Sequence, residues 1–301
     1  MTHAPYVILT AARNEAEYLR CTLDSVIDQT APPLRWVIVD DGSTDATGPI
    51  LTQYTASHPW ITVIASANTE GRNFGSKAAA INAAFDAVRE VEFAYVAVLD
   101  ADVTLEAGHF EFLLERMEEN PLLGITGTAY TEPDYDSTRD RHADPRHVSG
   151  QCQCFRRACF EDIGGYTAIP VGGIDWEAVM RARMRGWETR SYSEKSFFHH
   201  RPMGTGKDSV LRARFNYGYR DYVFGSHPLW QLLRIGFQMT RSPLLIGGLS
   251  LGAGYLWGCL SRPERPISAQ LVAYRRRDQM NKLRRLLGFN EKPAAPTSGP
   301  A

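Results

Sequence analysis

The sequence predicts an α/β fold, a mostly parallel central sheet flanked by helices, with a helical extension after it. Three observations predict this. Short, wholly apolar runs recur through the first hundred residues, each closed by a polar turn, which is how strands buried on both faces read. Segments with helical apolar spacing lie between them, and crossovers of that length bring successive strands in parallel. From about position 226 the strand-like runs stop, and apolar and basic stretches take over.

In chain order, Tyr6-Val-Ile-Leu9 is the first strand, and 15–27 is a helix with Leu19, Leu23, Val26 and Ile27 on one face. Trp36-Val-Ile-Val39 is the second strand, 47–54 a helix, Ile61-Thr-Val-Ile64 the third strand and 76–88 an Ala-rich helix. Tyr95-Val-Ala-Val-Leu99 is the fourth strand, and 105–119 a helix stopped near Pro121. Then follow a strand at 124–130, a polar loop at 131–150, a short strand at 151–155 and a short helix at 156–163 before Gly164-Gly165. A helix at 175–185 and an extended segment at 189–199 complete the α/β part. The expected organisation is a catalytic domain at 1–225, a helical extension at 226–289 and a flexible, Pro/Ala-rich tail at 290–301.

With 301 residues, 44% hydrophobic and 22% charged, the chain can bury a full core and is not a disordered sequence. A net charge of −1 supplies no global field for nucleic acid. The basic residues gather late, at Arg275, Arg276, Arg277, Lys282, Arg284 and Arg285. Five cysteines at irregular spacing argue against a disulfide framework or a zinc site and for a reducing, cytoplasmic setting. Residues 1–5 lack the basic start of a signal peptide.

In parallel sheets ligands bind beyond the carboxyl ends of the strands, and the polar clusters fall there. Asp100-Ala101-Asp102 follows five apolar residues; two carboxylates spaced this way can face one hard cation, Mg²⁺ or Mn²⁺, if the chain turns. In Asp40-Asp41-Gly42-Ser43-Thr44-Asp45, Gly42 suits a tight turn and Ser43 or Thr44 suits a helix cap. The adjacent carboxylates repel unless something is bound beside them.

Four segments in order, Thr10-Ala11-Ala-Arg13-Asn14-Glu15, Val39-Asp-Asp-Gly-Ser-Thr-Asp45, Gly75-Ser-Lys77-Ala-Ala-Ala-Ile-Asn82 and Leu99-Asp-Ala-Asp102, resemble the signature of family 2 glycosyltransferases. The resemblance covers about the first 200 residues and implies the GT-A fold, Rossmann-like, and inverting transfer from a UDP- or GDP-linked sugar to an acceptor hydroxyl in polysaccharide or glycolipid assembly. It implies that Thr10, Glu15, Asp40 and Asp41 line the nucleotide pocket, with Ala11, Arg13 and Ala101 in the same donor-binding motifs. Arg72 and Lys77 would meet ribose or phosphate, Asp100 ribose or metal, and Asp102 the metal on the diphosphate.

Ile174-Asp175-Trp176-Glu177 before Arg181-Ala-Arg183 resembles the family's acceptor-side helix, which makes Asp175 the expected catalytic base. Asp175 as a plain helix cap is the alternative. Glu177 is a rival base, and Trp176 suits either stacking on a sugar or the core. His199 and His200 are candidate third metal ligands; being adjacent on a strand they face opposite sides, and either fits. Arg201 would offset diphosphate charge.

The stretch 243–260 has eighteen uncharged residues, five of them glycine. It is short for a spanning helix, and flanking arginines with Tyr255 and Trp257 suit contact with the inner face of a membrane. A helical hairpin or a homodimer interface fits as well. Two other functions use similar parts: a nucleotidyltransferase, whose basic Gly-rich phosphate loop is missing from the slot Ala11–Glu15, and a non-catalytic binding protein of the same fold.

Overall fold

The computed structural model describes residues 3–66, 74–139, 144–201 and 209–288. The chain divides into two compact units, 1–202 and 203–301. The break precedes residues 210–223, whereas the sequence pattern places a boundary at 225/226.

The first unit is α/β. Strands β1 (Tyr6–Ala12), β2 (Arg35–Asp40), β3 (Ile61–Ala65) and β4 (Tyr95–Leu99) alternate with helices α1 (Leu19–Ile27), α2 (Thr47–Ser57) and α3 (Phe74–Asp86). They lie parallel in the order β3-β2-β1-β4. The order reverses beside β1, and in open α/β sheets ligands bind outside the carboxyl ends of the strands at such a point. The apolar runs of β1, β2 and β4 are continuous because both faces are covered, whereas β3, at the edge of the sheet, buries Ile61 and leaves Val63 exposed. Along β1, Tyr6 and Ile8 join Leu19, Leu23, Trp36, Phe110 and Met117 in one buried cluster. Val7 and Leu9, of opposite pleat, are equally buried. Each such side chain contributes about 1.5–3 kcal/mol.

The sheet turns mixed beyond β4. After β5 (Val103–Thr104) and α4 (His109–Glu119) come β6 (Leu123–Glu132), β7 (Tyr135–Asp136), β8 (Cys152–Arg156), α5 (Arg157–Asp162), α6 (Ile174–Met184) and β9 (Glu188–His199). The order continues β4-β8-β6-β9-β5, with β7 folded back on β6. Strand β8 is antiparallel to β4 and β6, and β9 is parallel to β6. The parallel arrangement expected from the sequence holds along β1 to β4 and again between β6 and β9, and antiparallel pairs join it in the second half. The reason is local: Cys152 opens β8 opposite Leu99, the last residue of β4, so β8 enters at the ligand edge and must run back. The polar segment 131–150, expected as loop, contains the end of β6, all of β7 and a short 3₁₀ turn, Ser137–Arg139.

The second unit is helical: α7 (Val210–Val223), α8 (Pro228–Met239), α9 (Ile246–Ser261) and α10 (Ala269–Leu286). Helices α7 and α9 approach through glycine. A Cβ on Gly254 would lie 1.9 Å from the Phe215 carbonyl oxygen, and one on Gly218 1.9 Å from that of Leu251. Asp221, buried, accepts from Arg234 at 2.6 and 2.7 Å and from Arg275 at 3.2 Å. Burial holds the Arg275 pKa down to about 10, against the pull of Asp221. Among the described residues no helix is long and apolar enough to cross a membrane.

Candidate active site

The turn Asp100-Ala101-Asp102 leaves the end of β4. Its middle residue points inward, with Ala101 buried in the core. Thr22 of α1 clamps the backbone: its hydroxyl donates to the Ala101 carbonyl at 2.8 Å and accepts from the Val103 amide at 3.1 Å. With Ala101 held in the core cluster, the flanking carboxylates turn away from it, Asp102 buried and Asp100 half-buried. The Asp100 amide donates to the Gln151 carbonyl at 2.8 Å. Nothing in the sequence marks Thr22 or Gln151 for this role, because neither lies in a motif.

Asp102 meets the end of β9. Strand β5 pairs Val103 with His199, and the His200 amide donates to the Asp102 carbonyl at 2.9 Å. Asp102 Oδ1 lies 3.5 Å from His199 Nε2, and Oδ2 lies 3.7 Å from an Arg201 nitrogen. His199 Nδ1 is 2.9 Å from Glu132 at the end of β6. His200 points elsewhere: its Nε2 is 2.7 Å from Thr104 Oγ1, and its ring stacks on Tyr18. Burial raises the Asp102 carboxyl, but His199, Arg201 and Lys77 outweigh it and hold the pKa below its ordinary value. Burial likewise disfavours charge on His199, yet Asp102 and Glu132 hold its pKa up.

Lys77 of α3 reaches across to Asp100, Nζ to Oδ1 2.5 Å. Burial works against this ammonium, but Asp100, then Asp175 and Asp102, raise its pKa. Lys77 thus feels all three aspartates. Asp175 lies in the first turn of α6, which begins at Ile174 after Gly172 and Gly173, both at positive φ. Gly173 holds the cap position and no side chain caps the helix, so Asp175 is not its N-cap. Asp175 packs on Gly150: a Cβ there would come within 2.7 Å of Asp175 Cβ and 2.8 Å of Oδ2. Gly150 precedes the Gln151 that holds Asp100, and Tyr166, buried nearby, feels both Asp175 and Asp100. Asp100, Asp102 and Asp175 therefore converge on one side of the sheet.

Glu177 does not join them. Its carboxylate is buried and accepts from Arg181 at 2.9 Å, while Arg181 also donates to the Ile163 and Gly165 carbonyls. Its candidacy as base gives way to a packing role. Trp176 is partly buried beside Asp175.

At the carboxyl ends of β1 and β2 the loops are sewn together. The Asn14 side chain accepts from the Thr44 amide at 2.8 Å, and the Asn14 amide donates to Ser43 Oγ at 3.1 Å. The adjacent carboxylates have partners. Asp40 accepts from the Ser43 amide at 2.9 Å, and Asp41 faces Arg13 at 3.7 Å. Neither Ser43 nor Thr44 caps α2: Ala46 holds the cap position and no side chain caps the helix, while Asp45, just before it, accepts from the Thr47 and Ala16 amides at 2.9 and 3.1 Å. Ala11 is half-buried at the end of β1. Thr10 is fully buried, and its hydroxyl accepts from the Trp36 indole at 3.0 Å, so its side chain is spent in the core. Glu15 is buried under a two-pronged pair with Arg201, at 3.1 and 2.7 Å. Arg201 therefore bridges Glu15 and Asp102. Arg72 lies outside the described residues.

Among the described residues no group of three or more His, Cys, Asp or Glu side chains is gathered to hold a metal by itself. The donor set of Asp102 and His199 nevertheless suits Mg²⁺ or Mn²⁺ shared with a diphosphate. Such ions take few protein ligands and complete their shell with phosphate oxygens and water. Glu132 on Nδ1 leaves Nε2 turned toward Asp102, the outer carboxylate that metal-binding histidines commonly have.

The family model described as "Glycosyl transferase family 2" matches residues 7–171. The chain is similar to the poly-beta-1,6-N-acetyl-D-glucosamine synthase of Staphylococcus epidermidis, 31% identical over 120 residues, which is 40% of this chain and 27% of that protein. It is similar to the chondroitin synthase of Escherichia coli, 33% identical over 121 residues, 40% of this chain and 16% of that protein. The match thus spans about a quarter of the first relative and less of the second. Among solved structures, the mannosyltransferase PcManGT from Pyrobaculum calidifontis, in complex with GDP-Man and Mn²⁺, aligns with a TM-score of 0.57 at 17% identity, over 95% of this chain and 82% of that one. S. aureus TarS 1-349 in complex with UDP-GlcNAc aligns at 0.54 and 15%, over 84% and 71%. These structural likenesses are of fold.

Proposed function

Because the chain belongs to family 2 of the glycosyltransferases, we propose that it moves a sugar from a UDP- or GDP-linked donor to an acceptor hydroxyl with inversion, in polysaccharide or glycolipid assembly. One observation carries the reading: Asp175, remote in sequence from Asp100 and Asp102, converges with that pair around Lys77 at the carboxyl end of β4. The nucleotide lies over the ends of β1 and β2, beside Arg13, Asp40 and Asp41. Asp102 and His199 would hold Mg²⁺ or Mn²⁺ on the diphosphate. When bound, the cation supplies charge neutralisation of the leaving group. Arg201 adds positive charge on the same side. Lys77 holds Asp100 in place and keeps the cluster from repelling itself. Asp175 takes the proton of the acceptor hydroxyl as it attacks the anomeric carbon. Contact with the inner face of a membrane is assigned to 243–260.

Donor turnover and acceptor transfer by the purified chain test this. Asp175→Asn is expected to lower kcat about a hundredfold or more while leaving donor binding intact. Asp102→Ala is expected to abolish the metal-dependent part. Near-normal transfer by Asp175→Asn would remove the base assignment. Pyrophosphate release would point to a nucleotidyltransferase, and no turnover with any donor to a binding protein.

A further inference from the structure

The helical unit carries an apolar surface that no other described residue covers. On α8, Leu229, Leu232, Leu233 and Phe237 are each at least 50% exposed. Their spacing puts them in one stripe. On α9, Leu249, Leu256, Trp257 and Leu260 are exposed by 55–78%, again on one side. The packing contacts fix where these stripes look. Gly248 and Gly252 of α9 face Ile235 and Met239 of α8, while Gly254 and Gly258 face Phe215 and Tyr222 of α7. Going round each helix from its α8–α9 contact, the exposed stripe follows in the same rotational sense. The two helices form a hairpin and run in opposite directions, so the stripes emerge on the same side. That side is away from α7. Together they make one apolar surface two helices wide, well beyond the scattered exposed leucines of an ordinary surface.

Charge identifies the occupant. Residues 1–202 carry 18 Lys and Arg against 29 Asp and Glu, and residues 203–301 carry 15 against 5. The overall charge of −1 therefore conceals −11 on the first unit and +10 on the second. Between positions 228 and 262 there is no acidic residue. Arg241, whose guanidinium lies 4.9 Å from the Phe237 ring centroid, is exposed at the α8-to-α9 end of the hairpin, and Arg262 at the other. A like-to-like dimer through this face would bring two strongly cationic units together. An anionic lipid surface offers both an acyl boundary for the leucines and phosphate for the rim.

We propose that the α8–α9 face docks flat on an anionic lipid bilayer, with Leu232, Leu233, Phe237, Leu256, Trp257 and Leu260 entering the headgroup-acyl boundary and Arg241 and Arg262 meeting lipid phosphates. This rests on, and deepens, the membrane contact assigned above to 243–260: it adds α8, sets a lying rather than spanning arrangement and names the lipid charge.

Flotation of the full chain tests it, with phosphatidylcholine vesicles and with phosphatidylcholine–phosphatidylglycerol vesicles. The expected result is flotation with the mixed vesicles, at least about tenfold weaker with the neutral ones, and weakened by high salt. Leu232→Glu with Phe237→Glu, and separately Leu260→Glu, are expected to lower binding about tenfold or more, with unchanged circular dichroism. Equal binding to both vesicles would overturn the claim on lipid charge and leave a membrane contact standing. Flotation untouched by the α8 substitutions would overturn the placement of the face. No flotation, whether the chain is monomeric or a dimer that these substitutions split, would overturn the proposal and the membrane contact together. Donor hydrolysis by the same preparations reads the catalytic proposal separately.

Discussion

At the residue scale, the two adjacent histidines show how differently neighbours can be used. His199 lies between Asp102 and Glu132, while His200 is engaged by Thr104 and Tyr18. His199→Ala is expected to raise the Mn²⁺ concentration that supports half-maximal transfer about tenfold or more, and Glu132→Gln to raise it by a similar factor through the lost orienting bond. His200→Ala should leave it unchanged; a metal titration of the three variants decides. His109 is a different case. It is fully buried, its Nε2 3.7 Å from the Cys152 sulfur and its Nδ1 without a hydrogen-bond partner among the described residues. Burial, helped by Lys195, pushes its pKa down from 6.5 to about 4. The fold therefore keeps it neutral while the unfolded chain takes up a proton below about pH 6.5. Stability from this group is whole above that pH and is lost as pH falls toward 4. His109→Leu is expected to remove about 2 kcal/mol of the stability lost between about pH 7 and pH 5, read by urea unfolding at the two pH values. An unchanged slope would show that the ring is solvated.

At the element scale, helix packing in the second unit depends on which face a glycine occupies. Gly254→Ala would drive a methyl group into the Phe215 carbonyl oxygen, 1.9 Å away, where backbone cannot yield cheaply. It is expected to cost about 1–3 kcal/mol or to part α7 from α9. Gly252→Ala, two residues earlier, would meet only the Ile235 side chain at 3.4 Å and should be neutral or gain up to about 1 kcal/mol of helix propensity. Thermal melts of the pair separate backbone contact from propensity. Element boundaries were legible wherever apolar periodicity is strong: Tyr95–Leu99 is a strand as read. The first helix was read as starting at Glu15 but starts at Leu19, because residues 15–18 form turns that aim Glu15 at Arg201 rather than continue the apolar stripe.

At the scale of the whole molecule, a near-neutral total hides two units of opposite charge, and the proposed donor site belongs to the acidic one. On the proposed function, a divalent cation would add to Lys77, Arg13 and Arg201 in offsetting the charge of a diphosphate brought into such surroundings. Chelation with EDTA is therefore expected to stop sugar transfer and to cancel the thermal stabilisation given by a UDP- or GDP-sugar, with Mn²⁺ restoring both. Full transfer in EDTA would mean that side-chain cations alone neutralise the leaving group.

The sequence by itself determined the strand and helix alternation, and with it the edge at which Asp40, Asp41, Asp100 and Asp102 appear, because a parallel strand delivers its carboxyl end to the ligand side whatever its neighbours are. Only the tertiary structure decided which of His199 and His200 turns to Asp102, that Thr10 and Glu177 are absorbed by packing, and that Glu132 and Thr22 serve the site. Those outcomes rest on pairs such as His199 with Glu132, 67 positions apart, and Arg201 with Glu15, 186 apart. Local periodicity sets the direction of a side chain relative to its own element; what stands opposite it is set by the closure of the sheet.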